Sequence, residues 1–134
     1  MKIYRAIALK NTQQINLDNI GRSWTLDEVY AEHHVKQAGC SSYIILAAEV
    51  EEDQIDVDNT LYAYDTRPRE YEIVLKNVEI EAIIHFSTHE NYEQWDTIAG
   101  QTGNNFFEDY LSDRSPYEGE KTMNDILELA ESFV

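Results

Sequence analysis

Glu70 and Glu72 stand two positions apart in "REYEIVL", residues 69–75, just after a loop that holds Arg67, Pro68 and Arg69. A run of β-formers follows, so the segment reads as a strand, in which residues i and i+2 point to one face. The two carboxylates then project side by side. They repel each other, and burial raises the pKa of at least one. Such a pair suits a cationic partner, or a reaction that develops positive charge. It equally suits the wet face of a sheet, because Glu79 and Glu81 repeat the spacing in "VEIEAIIHF". An E-x-E pattern is too short to choose between these readings.

Two other places carry polar groups that could accompany the acids. Arg5 lies inside the otherwise apolar "IYRAIAL". If it points inward it needs an anion, and its planar fork grips carboxylates or phosphates through parallel hydrogen bonds; by alternation it could as well point outward. In "GRSWTLD", residues 21–27, Ser23 and Thr25 share one face of a short extended segment. Their hydroxyls could bond a sugar or orient a carboxylate. The plainer alternative makes Thr25 a helix cap and Trp24 a core residue.

The elements that must position these groups are mostly strands. "MKIYRAIAL" alternates weakly and reads as the first strand, and "KNTQQINLDNIG" as a polar loop. "TLDEVYAEHHVKQAG" reads as a helix, with Thr25 as its cap, Asp27 and Glu28 at the positive end of the dipole, and Gly39 as its stop. Leu26, Val29, Tyr30 and His33 would share one face of it. "SSYIILAAEV" is a nearly continuous apolar run, the mark of a buried central strand. "QIDVDNTLYAY" is mixed, with a turn expected near Asn59. "EYEIVL" and "VEIEAIIHF", parted by "KN", read as a hairpin. Beyond Ser87, Gly100, Gly103 and Pro116 separate short helical stretches. "TMNDILELAESFV" reads as a closing helix with Met123, Ile126, Leu127, Ala130 and Phe133 on one side. The expected architecture is one α+β domain over 1–134, with a strand-rich core at 1–86 and a helical extension at 87–134 packed back on it.

The chain has 134 residues, and 43% of them are hydrophobic, enough to fold around a core. Ten basic residues face 26 acidic ones, for a formal charge of -16. That field repels nucleic acid and anionic membrane, and either attracts a basic protein or simply maintains solubility. The single cysteine, Cys40, rules out an internal disulfide and fits a reducing, cytoplasmic setting. The N-terminus is too short and too interrupted for a signal peptide, and no apolar run approaches a membrane span.

The order of these groups resembles the arginine–serine–glutamate class of ADP-ribosyltransferases: an arginine in strand one ("YRA", 4–6), S-x-T ahead of a helix ("GRSWTLD", 21–27), and E-x-E ahead of an apolar strand ("REYEIVL", 69–75). The resemblance covers residues 1–86. It implies a fold of two small packed β-sheets with an early helix and a helical C-terminal segment. It implies NAD as substrate, with Arg5 holding its phosphate and ribose part, Ser23 contacting the nicotinamide ribose, and Thr25 supporting that segment. Glu72 becomes the catalytic glutamate, steadying positive charge on the ribose as nicotinamide leaves. Glu70 becomes the acid that engages an acceptor guanidinium, and the loop Tyr64 to Arg69 meets the target. The implied reaction is transfer of ADP-ribose to a protein, with arginine as the acceptor. A second class of function uses the same fold without catalysis, as an acidic protein that binds and blocks a basic partner.

Other constellations point nowhere strong. His85 and His89 form H-x₃-H, but His85 ends an expected strand, and a single cysteine leaves too few ligands for a closed zinc site. No metal site is expected. Cys40 follows a helix end rather than a helix start, where nothing lowers a thiol pKa. There is no P-loop and no G-x-G-x-x-G. Tyr92, Trp95, Phe106, Phe107 and Tyr110 suit a seam between tail and body better than a base-stacking platform.

Overall fold

The computed structural model describes residues 1–8, 21–37, 39, 42–77, 80–88, 97–99 and 117–134. They form an α+β unit built on one antiparallel sheet. The strands are β1 (Lys2–Ala8), β2 (Ser23–Thr25), β3 (Tyr43–Glu49), β4 (Glu72–Val74), β5 (Glu81–Ser87) and β6 (Thr97–Ala99). Their order across the sheet is β4-β2-β1-β3-β5-β6. The helices are α1 (Glu28–Gln37), α2 (Val57–Thr66) and α3 (Met123–Glu131).

The expected pair of packed sheets is replaced by a single sheet among the described residues. The reason lies in β1. It pairs along its whole length with β3, from Lys2–Glu49 to Ala8–Tyr43, and on its other side meets β2 at one pair, Tyr4 with Thr25. Two groups of strands are thereby joined at a narrow seam.

The apolar run "YIILAAE" becomes β3, buried in all but Glu49 and flanked by β1 and β5. The larger core gathers Ile3, Ile7, Leu46, Ile55, Leu61, Ile73 and Leu75 with Ile126 of α3. A smaller cluster of Val35, Tyr43 and Ile45 lies where α1 packs, with Tyr4 and Ala6 against it. Burial of each large aliphatic side chain contributes about 1.5–3 kcal/mol.

Several local expectations change. The turn expected near Asn59 is helical: Asp56 caps α2, its carboxylate accepting from Asn59 N at 3.2 Å. The helix stops at Thr66 because Pro68 cannot follow it and biases Arg67 away from helical angles. Thr25 is not the cap of α1. It ends β2, and Asp27 starts the helix, its Oδ1 accepting from Val29 N at 3.0 Å. The buried residues of α1 are Ala31 and Val35, while Val29 is 72% exposed. No β4–β5 hairpin forms. β4 pairs with β2 at one end of the sheet, and β5 lies between β3 and β6. The tail is not wholly helical, since Thr97–Ala99 adds a strand beside β5. Its closing helix α3 does form, under a capping box of Thr122 and Asp125, with Ile126 and Ala130 buried.

Candidate functional site

A cleft of about 140 Å³ opens between β1, β2, α1 and the segment entering β4. Arg5, Ser23, Thr25, Glu70 and Glu72 all line it, together with Tyr30 and His34 of α1. The five polar residues singled out in the sequence therefore meet, although they come from three separate stretches of chain.

Arg5 is held by the seam. Its Nη1 donates to the Ser23 carbonyl, so the guanidinium bridges β1 and β2 just past their single pair. Burial lowers its pKa to about 10, and the Glu72 carboxylate opposes that fall. It stays charged at neutral pH. Ser23 and Thr25 sit at the ends of β2, opposite Val74 and Glu72. The Thr25 hydroxyl donates to the Glu70 carbonyl at 2.7 Å and accepts from Asp27 N at 3.1 Å. Its job is to tie the acid segment to β2.

The two glutamates come together differently from the expected i, i+2 strand. Glu70 ends a 3₁₀ turn, Pro68–Glu70, and only Glu72 belongs to β4. Tyr71 between them is left-handed, with φ 47°. A non-glycine residue there costs roughly 1–2 kcal/mol. Three contacts hold it: Leu26 N donates to the Tyr71 carbonyl at 3.0 Å, Thr25 binds Glu70, and the Tyr71 ring meets Phe133 edge-on at 4.9 Å. Glu72 is buried, 8% exposed, whereas Glu70 is half-buried.

Arg67 closes the constellation. Its Nε donates to Glu70 Oε2 at 3.2 Å and its Nη2 to Glu72 Oε1 at 3.3 Å. Burial pulls its pKa down, but the two carboxylates outweigh burial and raise it. Tyr30 faces the same acids. Its pKa is pushed up to about 12, by burial first and then by the charge and hydrogen bond of Glu70. Arg5 lines the cleft with Glu70 and Glu72, and Arg67, outside the lining, is paired to both acids.

The sequence alone missed Tyr30 and the role of Arg67. Tyr30 looked like one apolar residue of a helix face. Arg67 had a usable signal, a cation three residues before Glu70 and immediately before a helix-stopping proline.

Among the described residues no three His, Cys, Asp or Glu side chains group as metal ligands, and no helix is long and apolar enough to cross a membrane. His85 instead meets Glu28 at 2.8 Å. His89, Cys40, Glu79 and the aromatic group from Tyr92 to Tyr110 lie outside the described residues. Neither a protein-family model nor a curated protein matches the chain.

Proposed function

We propose that the cleft binds NAD and that the protein transfers ADP-ribose from it to an arginine on a basic protein partner. The observation that supports this most is the meeting of Arg5, Ser23 and Glu72, with Thr25 and Glu70, around one cleft.

The donor set suits the ligand. Arg5 is a half-buried cation for a phosphate, and Ser23 offers a hydroxyl to a ribose. At about 140 Å³ the cleft is smaller than the roughly 300–1,000 Å³ of pockets that enclose a whole drug-sized ligand. It takes about one ring, and the rest of a dinucleotide lies across the mouth. Arg5 in the lining and Arg67, paired to both acids, offset the two carboxylates and lessen their repulsion of an anionic ligand.

Loss of nicotinamide builds positive charge at ribose C1′. Glu72, fixed at the start of β4 and screened from water, opposes that charge with no reorganisation as it forms. The parallel with glycoside cleavage is close, because that transition state also carries a sugar cation. Glu70 faces the incoming guanidinium and takes its proton.

Ligand-detected NMR with NAD tests the reading. Wild-type protein is expected to give a binding signal, and Arg5→Ala to lose it. Silence from both proteins removes NAD from the proposal. The second reading would then stand: an acidic, non-catalytic protein that docks a basic partner, favoured by the charge of -16.

A further inference from the structure

We propose that a second pocket, between α2, β4 and α3, binds a small organic cation: a compact apolar body, about one ring in size, that carries a single ammonium. The proposal stands without the NAD reading above. The pocket has a volume of about 290 Å³, larger than the cleft and close to the roughly 300–1,000 Å³ of pockets that enclose small ligands. Glu72 belongs to both linings, so the two cavities share a wall at the start of β4.

The pocket follows from how the two helices are anchored. α2 is fastened to β4 at Thr60, whose hydroxyl accepts from Val74 N at 3.0 Å. α3 is seated through Ile126 and Ala130, the residues it buries. Leu61 and Tyr64 of α2, Ile73 of β4, and Ile126 and Leu129 of α3 then border one space. Its walls are mainly apolar, so moving an apolar body from water into it is favourable in proportion to the area covered.

Charge decides the sign of the ligand. Asp125 and Glu128 of α3 belong to the lining and are exposed. Among the described residues neither is paired to a cation, because Lys121, also in the lining, is held by Asp65 at 2.8 Å. The Lys121 ammonium lies 4.2 Å from the centre of the Tyr64 ring. The pocket thus already seats one cation on an aromatic face beside a carboxylate. The chain's -16 adds to the local field. An anion would meet Asp125 and Glu128 with only a committed lysine to offset them.

Benzylamine is titrated into the full chain and followed by amide NMR, beside benzyl alcohol, its neutral counterpart, and methylamine, the charge without the ring. Benzylamine is expected to give saturable shifts centred on Leu61, Tyr64, Ile126 and Leu129, and the other two probes to bind several-fold more weakly. Glu128→Gln is expected to weaken benzylamine by roughly 2- to 5-fold, the loss of one exposed ion pair. Ser132→Trp, which fills the pocket from its edge, is expected to abolish the shifts. The three probes are compared on wild-type protein, so a variant that fails to fold leaves the test intact. Methylamine moving the same resonances as strongly would mean that the acidic surface gathers any cation, and overturns the proposal. Benzyl alcohol binding as tightly as benzylamine overturns the part given to charge, and no shift in α2 and α3 overturns the pocket itself. NAD is absent throughout, so each result leaves the reading of the cleft untouched.

Discussion

Glu72 and Glu81 each open a strand, each follows another glutamate at i−2, and each leads into an apolar run. Glu72 is buried in a cleft beside Arg67 and near Arg5, while Glu81 is exposed at the start of β5. The difference comes from the neighbours. β4 lies against β2, whose Thr25 grips the acid segment, and α2 packs on it, the Thr60 hydroxyl accepting from Val74 N at 3.0 Å. β5 runs between β3 and β6, and its Ile83 and Phe86 stay 50% and 43% exposed. A carboxylate becomes chemically special through what is packed around it, and E-x-E by itself specifies neither environment.

The largest contrast is in stability. Ile73 follows Glu72 and is fully buried, whereas Ile83 is half exposed. Ile73→Ala is expected to cost about 2–5 kcal/mol, by lost transfer energy plus a cavity. Ile83→Ala should stay within about 0.5 kcal/mol. Urea unfolding followed by circular dichroism reads both. Equal losses would mean that the two strands are equally buried and that the contrast is false.

Next comes the chemistry. Under the proposed reaction, Glu72→Gln should cut nicotinamide release from NAD by on the order of 10²–10³, the usual loss for one preorganised electrostatic group. Glu81→Gln should leave release at the wild-type rate. Equal rates in all three proteins would detach Glu72 from catalysis.

The contrast also shows what the sequence could and could not say. The residues that gather at the cleft were legible because an interior arginine, paired hydroxyls and paired acids each break an apolar pattern. The run of β3 was legible because nothing polar interrupts it. The way Glu70 and Glu72 converge was not. Tyr71 reads as a strand former, and its left-handed angle is imposed by Thr25, Leu26 and Phe133, all distant in sequence. The β4–β5 hairpin failed for the same reason. "KN" looks like a two-residue turn, yet β4 finds its partner in Ser23–Thr25 and β5 finds its own in β3. Helix α2 was hidden because β-branched and aromatic residues mask a helix that a capping aspartate and a following proline delimit.

The smallest effect concerns Tyr30, which faces Glu70 and Glu72 across the cleft. Burial first, and then Glu70, pushes its phenol up to about 12. An unfolded tyrosine ionises near pH 10. The folded pKa is therefore the higher one, and the folded state binds the proton more tightly. By linkage, the stability this adds is complete below about pH 10 and is lost as pH rises towards 12. Wild-type urea midpoints should therefore fall more between about pH 9 and about pH 11.5 than those of Tyr30→Phe, which has no phenol to ionise. Glu70→Gln should narrow the gap, because it removes the charge that opposes ionisation. Glu81→Gln should leave it unchanged. A gap that survives loss of Glu70 in full would assign the shift to burial and Glu72 and break the link between Tyr30 and Glu70.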